Sequence, residues 1–214
     1  GLQPSDLLAR HKAFLLVEGH HDEVVLRTLV GDQLDQLRVE VLPIRGARNL
    51  AATVDSRFLW DFTDATVIPV LDNTSADDVL SAWNRALTVC FTEGPEAAGE
   101  FLRQALPAKE SVENMFLQQF LSRAIELDIR SRVAPFALSA PDIVHYLPLS
   151  SFVAKPGQSW MGLWTAHEVA LTSGETKIRD AKTWIERTYA TDFSTERLEG
   201  AARQLGEVPT DIAA

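Results

Sequence analysis

Short apolar runs alternate with longer amphipathic segments through the first third of the chain. Ala13-Phe14-Leu15-Leu16-Val17 is unbroken by any polar residue and is followed by a helical pattern from Asp22 to Val30. A second run occupies Arg38 to Ile44 and reads Val39-Glu40-Val41-Leu42-Pro43-Ile44. It leads into Arg45-Gly46-Ala47-Arg48-Asn49-Leu50, a glycine turn opening a helix to about Phe62. The third run, Ala65 to Leu71, ends at Asp72, and Asn73-Thr74-Ser75 starts a helix through Trp83 to Val89. Unbroken apolar runs of this length predict strands buried on both faces. Strands alternating with helices predict right-handed crossovers and a parallel sheet. Pro69 has no ladder donor, so the third strand is expected at an edge or with an irregularity.

Beyond Val89 the pattern turns helical. Glu93-Gly94-Pro95-Glu96 is a breaker, and helical segments follow at about Ala97 to Leu106 and Ser111 to Arg130. They read as an insertion over roughly residues 93–131. Val133 to Leu138 predicts a fourth strand, and Pro141 to Leu147 a helix with Pro141 in its first turn. From Pro148 the composition changes. Lys155-Pro156-Gly157-Gln158-Ser159 reads as a loop. Trp160, Trp164, Thr176 to Tyr189 and Ser194 to Leu205 read as helical, with Ser194 capping the last. The tail from Gly206 is expected to fray. The expected fold is α/β: a mostly parallel, Rossmann-like four-stranded sheet flanked by helices over residues 1–150, with a helical insertion, then a C-terminal helical extension over 151–214.

At 214 residues and 46% hydrophobic, the chain can bury one sizeable core and a smaller appended unit. No apolar stretch is long enough to span a bilayer. Gly1-Leu2-Gln3-Pro4-Ser5-Asp6 lacks the basic and apolar regions of a signal peptide, so a cytoplasmic location without membrane contact is expected. A start at Gly1 reads as a segment of a longer protein. The single Cys90 leaves no internal disulfide framework and no cysteine-based zinc site, and its neighbours Leu87, Val89 and Phe91 read it as a core residue. The net charge of −10 argues against grip on nucleic acid through a broad basic surface. An acidic site working through divalent metals is still compatible, because bound ions reverse the local field.

The candidate chemistry lies at the strand ends. Glu18 and Asp72 each follow a strand, and Asp22 stands four residues after Glu18. Open α/β sheets place their ligand sites at that edge. Taken singly, Asp22 and Asp72 read as helix caps. Taken together, the three carboxylates repel one another unless a cation or a raised pKa relieves the charge, and such oxygen donors suit magnesium or manganese. Asp77 and Asp78, a helical turn beyond Asp72, are further carboxylates, or a solvated helix face. His20 and His21 flank the acidic turn and read as phosphate or metal contacts, or as exposed turn residues. Arg45 and Arg48 bracket Gly46, where a helix N-terminus and two guanidiniums suit a phosphate, or where they are simply solvated. Trp160 and Trp164, at helical spacing, read as packing rather than a base-stacking platform.

The order Val17-Glu18-Gly19-x-x-Asp22, then the Gly46 turn, then a strand ending at Asp72, resembles the TOPRIM domain of topoisomerases, bacterial primases and OLD-type (overcoming lysogenisation defect) nucleases. Gly46-Ala47-Arg48-Asn49 resembles the OLD-type turn after strand two, and Asp142-Ile143-Val144-His145-Tyr146-Leu147 resembles its motif after strand four. The resemblance covers roughly residues 13 to 147. It implies magnesium- or manganese-dependent cleavage or transfer at phosphodiesters of nucleic acid, DNA more than RNA, with an ATPase domain or partner in the full-length protein and with oligomers compatible. By the same resemblance Glu18 is the acid/base or metal ligand, Asp22 a supporting ligand, Asp72 the principal ligand, and Lys182 or Lys177 the functional lysine. Two positions depart from the family pattern. The second aspartate of Asp-x-Asp is Thr74, with Asp77 as a substitute ligand, and a glutamate expected after strand four is Val144. Asp142, the nearest carboxylate, is expected on a different helix face. These departures keep two other readings open. One is a binding or regulatory module on the same fold; the other is an unrelated doubly wound domain using Asp72 as nucleophile.

Overall fold

The structure, a computed structural model, describes residues 10–45, 64–72, 76–106, 112–155 and 157–213. The turn and helix expected from Gly46 to Phe62, and Asn73 to Ser75, lie outside the described residues. Four strands form one all-parallel sheet: β1 (Ala13–Val17), β2 (Val39–Pro43), β3 (Thr66–Leu71) and β4 (Phe136–Ala137), in the order β2-β1-β3-β4. The fold is α/β and Rossmann-like.

The unbroken apolar runs are explained by what covers each face. Side chains alternate across a strand. Phe14, Leu16, Val67 and Leu71 enter one buried cluster, while Val17, Val41 and Val70 enter the other. The first cluster is roofed by α2 (Ala76–Glu93), α3 (Pro95–Ala105) and α4 (Val112–Glu126), through Val79, Trp83, Leu102, Leu117 and Phe120. The second is roofed by α1 (His20–Leu37) together with α5 (Trp160–Ser173), α6 (Ala181–Tyr189) and α7 (Thr195–Arg203). Leu163, Ile185, Phe193 and Leu198 thus share one core with β1. Each such side chain contributes about 1.5–3 kcal/mol on full burial. Cys90 is partly buried against the first cluster, but its neighbour Phe91 is 92% exposed.

Pro69 is not at an edge, because β3 lies between β1 and β4. The expected irregularity is present instead. β3 meets β4 through a bridge at Val67 and Val133 and again at Val70–Phe136 and Leu71–Ala137. That register sets Pro69 opposite Pro135. Neither proline has an N–H to donate, so the ladder is interrupted there and β4 is only Phe136–Ala137, shorter than the expected Val133 to Leu138.

Other boundaries also moved. α1 starts at His20 and runs to Leu37, with a kink at Val30 (φ −130°, ψ 15°). The helix expected over Pro141 to Leu147 is a 3-10 turn, Ile143–Tyr146. Asp142 accepts the Val144 N–H at 3.1 Å, and Pro148 stops extension, so only a short turn forms. The helix expected from Thr176 begins at Ala181, where Asp180 Oδ1 accepts the Thr183 N–H at 2.8 Å. Ser194 occupies the N-cap of α7 without a side-chain capping bond. Gly94, at φ 99°, separates α2 from α3 where the breaker was expected.

Candidate functional site

The chain runs from β1 outward to β2, then returns to the other side of β1 for β3. The carboxyl ends of β1 and β3 therefore flank a topological switch point, where doubly wound sheets open a crevice. A cleft of about 480 Å³ lies there. Glu18 and Asp72, each one residue beyond its strand, both line it, and so do Asp22, Asp142 and Lys182.

Local backbone chemistry aims these side chains. Asp22 Oδ2 accepts the Gly19 N–H at 2.7 Å, closing the first turn of α1. Asp72 Oδ2 accepts the Ile143 N–H at 3.1 Å, joining the end of β3 to the turn after β4. Asp142 caps that turn with Oδ1, and its Oδ2 lies 2.6 Å from Lys182 Nζ. Lys182 comes from the first turn of α6, positioned by the Asp180 cap. Cap and cluster are thus compatible roles: Asp22 and Asp142 each cap with one oxygen, and both line the cleft.

Charge in the cleft is unbalanced. Burial, then Asp22, Asp142 and Glu18, push the Asp72 carboxyl up to about 9. Burial also raises Asp22 to about 6, against the Gly19 N–H, which favours its anion. Burial pulls the Lys182 ammonium down, but Asp142 and Asp22 outweigh it and the pKa ends above its ordinary value. His21 is lowered, first by burial and then by Lys182. Burial and the neighbouring carboxylates thus favour the protonated form of Asp72.

The other expected residues divide. Arg45 lines the cleft in a left-handed conformation (φ 57°) at the end of β2. His20 lines it too, with Nε2 3.1 Å from Thr195 Oγ1, and the His21 ring faces Phe193. Gly46, Arg48 and Thr74 lie outside the described residues. Asp77 is exposed on α2 and is not among the residues lining the cleft, so it does not supply there the second aspartate that the resemblance implies. Lys177 is exposed and lies outside the lining as well. Trp160 and Trp164 pack as expected: the Trp160 Nε1–H donates to the Leu147 carbonyl at 2.7 Å, and the two rings meet edge to face.

Asp142 is the main correction. A helix begun at Pro141 would set Asp142 on another face. With the turn starting at Ile143, Asp142 precedes it and swings into the cleft, while Val144 is fully buried in the core. Glu113 and Asp180 also line the cleft and were missed. Asp180 had a local signal, the Asp-x-x-Thr capping pattern to Thr183, whereas Glu113 had none.

Oxygen donors crowded beyond their counter-charge are the donor set a hard divalent cation takes. Among the described residues, no three His, Cys, Asp or Glu side chains are already disposed to hold one. No described helix is long and apolar enough to cross a membrane. Compared with protein-family models, curated proteins and solved structures, the chain matches none.

Proposed function

We propose that this chain is a TOPRIM-type domain that uses magnesium or manganese to cleave or transfer phosphodiesters in nucleic acid, DNA more than RNA, as part of a larger ATPase-linked protein. One observation carries the reading: Glu18, Asp22, Asp72, Asp142 and Lys182, spread over 165 residues of chain, line a single cleft at the switch point of the sheet. Asp72 and Asp22 would hold the metal, which would stabilise charge on the phosphate and lower the pKa of an attacking water. Glu18 exchanges protons with the attacking or leaving oxygen. Lys182 sets a fixed positive charge against the phosphoryl oxygens, and Arg45 and His20 meet the flanking backbone at the rim.

A second reading, a binding or regulatory module, draws on Lys182. Its ammonium already neutralises Asp142, which limits the negative charge left for a second metal. Incubation of supercoiled plasmid with manganese separates the two. The enzyme reading expects nicking or linearisation that Glu18→Gln abolishes. Equal results for parent and variant would leave the module.

A further inference from the structure

His167 on α5 is a buried histidine, 4% exposed. Burying an imidazole needs a partner. His167 Nε2 lies 2.8 Å from the Ile178 carbonyl, and a carbonyl only accepts, so this nitrogen carries the proton. The same ring packs on Trp184 with centroids 5.4 Å apart. Its two contacts therefore grip the chain on both sides of Lys182: the segment entering α6 at Ile178, and α6 itself at Trp184. Between them stand the Asp180 cap and Lys182. The entering segment is also held by the Ile178 N–H donating to Thr176 Oγ1 at 3.2 Å and by the Thr176 N–H donating to the Ala170 carbonyl of α5 at 3.1 Å.

We propose that His167 is a positioning residue for Lys182: its bond to the Ile178 carbonyl and its packing on Trp184 fix the first turn of α6 so that the ammonium reaches Asp142 in the cleft. The consequence for phosphodiester chemistry rests on the function proposed above; the placement of Lys182 does not.

His167→Phe keeps a ring against Trp184 and removes the donor, whereas His167→Gln keeps an N–H near the position of Nε2. The readout is the rate at which a soluble acylating reagent labels Lys182, mapped by mass spectrometry with the exposed Lys12 as internal reference. With the clamp gone, Lys182 samples positions away from Asp142, and labelling in folded His167→Phe is expected to rise about fivefold, the scale of one lost hydrogen bond. His167→Gln is expected to stay near the parent rate. Parent-like labelling in His167→Phe, however far its melting temperature falls, would overturn the proposal. So would a His167→Gln that behaves like His167→Phe. Should His167→Phe fail to fold, His167→Asn, too short to reach the Ile178 carbonyl, takes its place with the same expectation. Plasmid cleavage measured alongside keeps the two ideas apart. A parent protein that never cuts DNA removes the phosphodiester reading and leaves the labelling result standing. Unchanged labelling in an active enzyme removes only the role of His167.

Discussion

Lys182 Nζ stands 2.6 Å from Asp142 Oδ2, an ion pair that ties α6 to the turn after β4 across 40 residues of chain. The two side chains are 23% and 17% exposed. Solvent at the pair lowers its coupling below that of a fully buried one. A double-mutant cycle with Lys182→Met and Asp142→Asn, read by urea unfolding at neutral pH, is expected to give about 1–2 kcal/mol. Strict additivity would count against the pair.

The raised carboxyl pKa values set a pH dependence. Asp72 at about 9 and Asp22 at about 6 both exceed their ordinary value of 3.8. The folded state therefore binds protons that the unfolded state has released. The stability they contribute is complete below the ordinary value and is lost as pH rises through 6 and then 9. Melting temperature in chelator is expected to fall over that window. Asp72→Asn should remove the upper part of the fall, at least about 1 kcal/mol or 2–4 °C. A flat profile in the parent protein would contradict the crowding described.

A divalent cation should relieve that crowding. Magnesium or manganese is expected to raise the melting temperature, more so as pH rises, and to displace protons from Asp72 and Asp22 on binding. Calorimetric titration in two buffers of different ionisation enthalpy counts those protons. Asp72→Asn should lose most of both the affinity and the proton release. Binding without proton release would place the metal elsewhere.

Placing at position 144 the carboxylate that the TOPRIM resemblance implies should fail. Val144 is fully buried in the second apolar cluster, so Val144→Glu forces a charge into the core. A loss of more than about 3 kcal/mol is expected, with no gain in metal affinity. Asp77→Ala, on an exposed face away from the cleft, should stay within about 0.5 kcal/mol of the parent and bind metal equally. Weaker metal binding in Asp77→Ala would return that residue to the site.

Much of the fold was legible because its signals are local. An apolar run such as Phe14 to Val17 can hide both faces only between two layers, and the spacing of strands and helices leaves a parallel sheet as the ready solution. Glu18 and Asp72 were legible for the same reason: a residue just past a strand in such a sheet stands at the ligand edge. Gly94 and Pro95 broke the chain where glycine and proline must.

What the sequence could not decide was settled by contacts between distant segments. Pro69 sits inside the sheet because Pro135 faces it across a ladder that both leave unpaired. Asp142 and Val144 exchange the expected roles because a capping bond and Pro148 shorten one helix to a turn, rotating one side chain into the cleft and the other into the core. Lys182 and Asp142 meet only once α6 is packed into the same apolar cluster as the turn after β4. Short-range sterics and periodicity act within a few residues and can be read along the chain. The direction of a cap, the partner of a charge and the pKa of a crowded carboxyl depend on what the rest of the fold brings within a few ångströms.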